Sequence, residues 1–433
     1  MKHINKKFIN DKVKEGFSFV KNKASNSKAY ILTFSKWIFL SVIMGLLGGF
    51  VGTVFHISVE EVTYIREANP ILICFLPLAG LAIIFIYKTF RLENKGTNNI
   101  INKVRTDEKI PFMLAPLIFV GTTITHLFGG SAGREGAALQ LGGSIGYQIG
   151  RVFKLDEKDL RIIVLCGMSA VFSANFGTPI TATLFALEVI SVGVIYYSAL
   201  LPCTIASVMA CQVALYMGVA PDAFHIDFIP QMSISVVTRT IILALLCAIV
   251  SVIFCSALHR TERFFKKVLP NEYLRILVGG ICIVALTFLV GSTEYNGSGF
   301  TIIERAMAGY ARPEAFLLKI IFTAITMGVG FKGGEIVPTF FVGATFGCFA
   351  GTLMGLNPGF AAAVGLIAMF CGVVNCPIAS IMLGLELFGS DCIVLFFIVC
   401  SVSYMLSGYR GLYSSQKIIY SKLKAEYINI FAK

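Results

Sequence analysis

Apolar stretches recur along the chain at Ile31–His56, Pro70–Phe90, Phe112–Phe128, Val194–Gly218, Ser233–Leu258, Leu274–Gly291, Phe316–Val329 and Ile393–Leu406. About 20 consecutive apolar residues carry a helix across the hydrocarbon core of a bilayer. Several stretches reach that length, and the others are short or interrupted by Gly and Pro. Backbone polar groups in lipid must be satisfied within their own segment, so spanning helices are the elements this pattern predicts. The fold class expected is an all-α polytopic membrane protein. Composition agrees: 14% of the residues are charged and 56% hydrophobic, whereas a soluble domain carries about 25% charge.

The 36 Lys and Arg residues exceed the 24 Asp and Glu, giving a net charge of +12. Where they sit matters more than the sum. They crowd the first 28 positions and the tail (Lys417, Lys422, Lys424, Lys433), and they fill Arg91–Lys109, Arg151–Arg161 and His259–Arg275. The polar connection Ala220–Met232 has none. That asymmetry predicts a multi-pass protein of the plasma (inner) membrane with both termini cytoplasmic, and an N-terminal surface helix facing anionic lipid. No aromatic-interleaved basic patch appears, so nucleic acid is not an expected partner. The N-terminus lacks the short apolar core and small-residue cleavage site of a signal peptide. The 12 Cys lie in or beside apolar segments without CxxC or Cys/His spacing. They read as buried thiols, and no metal or cofactor is expected.

Self-comparison reveals an internal repeat. Pro179-Ile180 runs to Leu187-Glu188, and Pro377-Ile378 runs to Leu385-Glu386. Upstream, Gly133-Arg134-Glu135 pairs with Gly333-Gly334-Glu335, and Gly96-Thr97-Asn98 with Gly297-Ser298-Gly299. The expected organisation is a basic segment (1–30), a first membrane repeat (31–215), an extracellular linker (216–234), a second repeat (235–415) and a cytoplasmic tail (416–433) with no regulatory domain. The Gly96 connection is basic, while its partner near Gly297 has sparse, balanced charge, which implies opposite orientations. Inverted repeats place binding sites near the midplane, where discontinuous helices meet. Two parallel repeats with merely structural glycines are the alternative.

Gly129-Gly130-Ser131-Ala132-Gly133-Arg134-Glu135-Gly136 places a charged pair among small residues before an apolar helix. A helix start leaves its first N–H groups unpaired and carries positive dipole character, a ready anion site. A carboxylate such as Glu135 can occupy that site, and protonation releases it. Competition with a permeant anion would couple proton movement to anion movement. The alternative is a Glu135–Arg134 pair that caps the helix. Met327–Gly347 repeats the pattern, with Pro338 near the helix start and Glu335 as a second carboxyl; an ordinary first-turn Glu favoured by the dipole is the equal alternative. Gly96-Thr97-Asn98-Asn99 offers a hydroxyl and two amides as donors to an anion, or an ordinary N-cap. Tyr409 and Tyr413 follow the last apolar stretch, where an interfacial aromatic belt competes with a role in the pathway. Glu188 and Glu386 read as structural groups at helix ends.

These motifs resemble the CLC family of chloride channels and anion/proton antiporters, over about Trp37 to Lys424. Gly133-Arg134-Glu135-Gly136 resembles the family's GREGP segment, whose Glu is the gate. Gly334-Glu335-Ile336-Val337-Pro338 resembles GxFxP, whose backbone amides hold the ion. Gly96-Thr97-Asn98-Asn99 lies where GSGIP would, and Tyr413 resembles the pore tyrosine. The resemblance implies a CLC-type inverted-repeat fold with discontinuous helices meeting at the midplane, assembled as a homodimer with one pathway per subunit. It implies gating and proton transfer by Glu135 and Glu335, and anion binding by Thr97, Asn98, Asn99, Gly133, Arg134, Gly136, Ile336, Val337 and Tyr413. Ala137 departs from the Pro of GREGP, Asn98-Asn99 from Gly-Ile, and Ile336 from Phe. Val189 stands where chloride antiporters place an internal proton-accepting Glu. The Asn and Glu335 departures resemble the fluoride-type branch, although that branch often has Met and Thr where this chain has Thr97 and Val337.

The function expected is transport rather than catalysis: an anion/proton antiporter exporting fluoride. Fluoride is a small, strong hydrogen-bond acceptor, suited to neutral donors such as Asn98 and a protonated Glu335. A chloride/proton antiporter or a passive channel of the same fold is the alternative. A membrane-embedded hydrolase would need a nucleophile beside a base, and no such constellation is present.

Overall fold

The computed structural model describes residues 6–92, 96–106 and 108–433, with side chains from residue 28 onward. Lys2, and the side chains of the other basic residues before Lys28, lie outside the described residues. Sixteen α-helices are described, and they follow one another in two matching series. The first runs α1 (Lys6–Ala68), α2 (Leu76–Thr89), α3 (Thr97–Arg105), α4 (Leu114–Leu127), α5 (Glu135–Val152), α6 (Glu157–Phe176), α7 (Pro179–Glu188) and α8 (Leu200–Tyr216). The second runs α9 (Ile234–Val268), α10 (Glu272–Val290), α11 (Phe300–Met307), α12 (Ala315–Val329), α13 (Ile336–Leu353), α14 (Pro358–Val374), α15 (Pro377–Phe388) and α16 (Ile393–Leu406). Both α5 and α13 have 18 residues, and the short α3 and α11 have 9 and 8.

Among the described residues, seven helical segments are long and apolar enough to cross a membrane. The apolar stretches of the sequence correspond to α1, α2, α4, α8, α9, α10, α12 and α16. They do not mark α5, α6, α13, α14 or α15, which form the interior. In α14 every residue from Gly359 to Val374 is buried. Such helices pack on protein rather than lipid, and their sequence signal is close approach instead of long hydrophobicity. Gly142, Gly146 and Gly150 line one face of α5 against Gly167, Ile163 and Leu160 of α6. Gly343 and Gly347 of α13 lie against Gly365 of α14, and Gly351 against Ala361. A Cβ at Gly343 would stand 2.5 Å from the backbone oxygen of Gly365, so α13 and α14 could not come this close with a larger residue there.

Glu188 and Glu386 tie the two series together. Each of α7 and α15 begins with Pro, and the following N–H groups have no partner within the helix. Glu386, near the end of α15, accepts from Ile180 N and Thr181 N, both at 2.8 Å. Glu188, at the end of α7, accepts from Ile378 N at 3.4 Å and Ala379 N at 3.0 Å. Each helix thus supplies the carboxylate that caps the other.

The fold also departs from purely helical. The chain after Gln416, expected as a plain tail, folds into an antiparallel pair, β2 (Lys417–Tyr420) and β3 (Tyr427–Phe431). β2 also pairs in parallel with β1 (Ser191–Val192) just beyond α7. Gln416 anchors this sheet, its Nε2 donating to Val189 O at 3.1 Å and Val374 O at 2.9 Å.

Candidate functional site: two helix starts and a cavity

The loops preceding α5 and α13 meet. Gly133 and Gly334 exchange both backbone hydrogen bonds, each 2.7 Å, in a single antiparallel bridge. Glycine is required here because the backbones touch. A Cβ on Gly136 would lie 2.9 Å from Gly334 Cα, and one on Gly334 would lie 3.1 Å from Glu135 N. The first turns of two helices consequently face one small volume. In α5 the groups without an intrahelical acceptor are Glu135 N, Gly136 N and Ala137 N, since the ladder begins with Ala138 N to Arg134 O at 2.9 Å. In α13 the ladder begins with Thr339 N to Glu335 O at 3.1 Å. Pro338 has no N–H, so Ile336 and Val337 alone present donors there.

The bridge corrects one detail of the repeat. Gly133 faces Gly334, and α5 and α13 start at Glu135 and Ile336, so the register here is one residue further than Gly133 with Gly333. Glu335 then corresponds to Arg134, not to Glu135. The glycine ladders 142/146/150 and 343/347/351 follow the same register.

Glu135 is 1% exposed. Its Oε1 lies 3.7 Å from Arg134 Nε, and its Oε2 accepts no hydrogen bond among the described residues. A Cβ on Gly133 would lie 2.5 Å from that Oε2 and 3.1 Å from both Val337 Cβ and Pro338 Cδ. The carboxylate therefore folds back toward the start of α13. Glu335 is half-buried and borders a cavity of about 290 Å³. Gly136 is shared: its Cβ would lie 3.3 Å from Glu335 Oε2. The two carboxyls thus flank the crossing, with Glu335 on the cavity side.

Thr97, Asn98, Asn99, Gly333, Glu335 and Tyr413 line this cavity. Thr97 Oγ1 donates to Gly136 O at 3.3 Å and accepts from Gln140 Nε2 at 2.8 Å, which seats α3 against the first turns of α5. Asn98 Oδ1 accepts from Ser415 N at 3.0 Å and so fixes the loop that carries Tyr413. Asn99 Oδ1 accepts from Gly96 N at 2.9 Å, the local bond of a helix start. The Tyr413 hydroxyl is buried without a partner among the described residues; an orphaned O–H beside a cavity is a donor ready for an anion. Ile336 and Val337 are buried, and the polar groups they present at the start of α13 are their amides.

Sequence reading missed several members of the site. Gln140 orders Thr97, and its signal was a buried amide among the apolar residues of the first turns of α5. The cavity is also lined by His259 and by the charged Glu262 and Lys266 from α9, Glu272 and Arg275 from α10, and Lys332. Glu262 and Lys266 pair at 2.6 Å. Their i, i+4 spacing was visible, but not that α9 leads to Glu335.

Comparison with known proteins agrees with this geometry. Residues 79–408 match the family model described as voltage gated chloride channel. A chloride/fluoride channel protein of Pseudomonas syringae pv. tomato is 35% identical over 396 residues, covering 90% of this chain and 88% of that protein. The H(+)/Cl(−) exchange transporter of Vibrio cholerae is 26% identical over 401 residues, covering 85% of each. Among solved structures, a CLC-type fluoride/proton antiporter superposes with a TM-score of 0.86 at 33% identity, over 88% of this chain and 98% of that one. A slow cyanobacterial Cl−/H+ antiporter reaches 0.73 at 18% identity, over 86% and 94%, a likeness of fold. With crossed helix starts, a shared register and these matches in hand, the chain is a multi-pass integral membrane protein that belongs to the CLC family.

Proposed function

We propose that this protein is a fluoride/proton antiporter in which Glu135 is the gate. The observation that carries the reading is the Gly133–Gly334 bridge, which brings the free amides of α5 and α13 to one spot beside two carboxyls. An anion at that spot meets Glu135 N, Gly136 N, Ile336 N and Val337 N and the positive ends of two helices. The Glu135 carboxylate competes for the same donors. Protonated, it loses its charge and vacates them, and an anion enters from the cavity past Tyr413. Re-ionisation expels the anion and closes the path. One proton is thereby exchanged against anion passage.

The donors favour fluoride. The orphaned Tyr413 hydroxyl, the Asn98 amide and a protonated Glu335 suit a small, strong acceptor better than apolar contacts would. A hard anion that sheds water needs hydrogen bonds in return. Glu335 also offers a titratable step on the cavity side, where Val189 cannot serve. The relatives named for fluoride support this choice. Two copies, each with its own pathway, form the assembly, and the cavity, whose lining mixes Lys266, Arg275 and Lys332 with Glu262 and Glu272, opens to the cytoplasm with both termini on that side.

The test is flux from liposomes containing the purified chain, with internal pH recorded. A pH gradient should drive fluoride uphill and chloride poorly, and Glu335→Gln should selectively slow fluoride. Equal fluoride and chloride flux, with or without that substitution, would sink the fluoride assignment. A reversal potential that ignores the pH gradient would make the protein a channel.

A further inference from the structure

Arg134 is shared between two carboxylates. Its Nε lies 3.7 Å from Glu135 Oε1, and its Nη2 lies 3.8 Å from Asp222 Oδ2 and donates to Asn175 O at 3.5 Å. The Arg134 and Asp222 side chains are only 15% and 14% exposed. Asp222 Oδ2 accepts no hydrogen bond among the described residues, so Arg134 is the group it faces. Asp222 belongs to the connection between α8 and α9, the one without Lys or Arg.

That connection is fixed in place rather than draped. Asp222 N donates to Phe176 O at 3.0 Å and Phe224 N to Leu387 O at 3.0 Å. Pro221 presses on Gly177, whose φ of +70° and lack of Cβ make room for it. The Phe224 ring stacks on Phe300 and Phe388, with centroids 5.3 and 5.9 Å away. Besides Arg134 and Glu135 at the start of α5, the charged groups acting on Asp222 are Glu60 of α1 and Glu304 of α11. His56, hydrogen-bonded to Asn175 O at 3.1 Å, and the exposed His225–Asp227 pair complete the surroundings. Burial pushes the Asp222 carboxyl up to about 6, against the pull of Arg134.

We propose that Asp222 is a positioning residue for the gate: it keeps Arg134 paired when Glu135 takes up its proton. The inference rests on Glu135 being the gate. A guanidinium in a buried site is costly without a counter-charge. If Glu135 were its only carboxylate, each protonation of the gate would orphan Arg134 and be resisted. With Asp222 beside it, Arg134 changes partner and the gate can open near neutral pH.

The experiment reads proton-coupled anion flux against pH for the full chain in liposomes. Asp222→Asn should move the half-maximal pH about one unit toward acid, the scale of losing one close counter-charge, and Asp222→Glu should restore the wild-type profile. In an Arg134→Gln background the Asp222→Asn shift should vanish, because the two act as one unit. A superimposable Asp222→Asn profile, an alkaline shift, or an equal shift in Asp222→Glu would overturn the role. Glu135→Gln, run alongside, separates the two claims. Retained proton coupling there refutes the gate and this inference with it; lost coupling with an unshifted Asp222→Asn profile refutes Asp222 alone.

Discussion

Replacing Glu386 by Ala would remove the group that caps α7 from the other series of helices. Two bonds at 2.8 Å join its carboxylate to Ile180 N and Thr181 N. Hydrogen bonds to a charged group contribute about 1.5–3 kcal/mol each, and the favourable placement at a helix N-terminus adds about 0.3–1 kcal/mol. The freed side chain regains up to about 2 kcal/mol of rotamer entropy, and Glu386 is half-buried, so water replaces part of what is lost. The net expectation is a loss of about 3 kcal/mol, with Glu386→Gln costing roughly half because one acceptor oxygen remains. Equilibrium unfolding in mixed detergent micelles measures the loss, and flux with internal pH recorded shows whether transport chemistry changes. The proton-to-anion ratio should stay at its wild-type value. A loss below about 0.5 kcal/mol, or lost coupling at unchanged stability, would refute the capping role and make Glu386 a proton relay.

Two further outcomes concern the crossing itself. Gly334→Ala should abolish flux and lower thermal stability, since its Cβ would press against Gly136 N and stand 3.1 Å from Gly136 Cα; wild-type transport by this variant would show that the backbones need not touch. Asn98→Ala removes the acceptor for Ser415 N and should weaken fluoride binding about 5- to 10-fold, matching the roughly 1 kcal/mol of one net hydrogen bond, as read by isothermal titration. Unchanged affinity would dismiss Asn98 from the site.

The parts of the fold that face lipid were legible as long apolar stretches, because the hydrocarbon core imposes both length and composition. The interior helices were not. Their information lies in a four-residue glycine spacing on α5 and α13, which matters only once α6 and α14 are known to lie against them. Glu135, Glu335 and Pro338 could be picked out, since glycine before an apolar helix with a buried carboxyl is costly without a purpose. The bridge register was missed by one residue because Gly333 and Gly334 are adjacent and chemically alike. Asp222 was invisible, as its meaning depends on a contact with Arg134 across 88 positions of chain. The β2–β3 pair was missed too; its strands are only four and five residues long, and β2 finds its second partner in β1, more than 200 residues earlier.

Glu135→Gln is the decisive substitution for the gate, because it keeps the size of the side chain and removes its charge at every pH. In liposomes loaded with fluoride, anion flux through this variant should proceed without any accompanying change in internal pH. Proton movement still locked to fluoride at the wild-type ratio would contradict it.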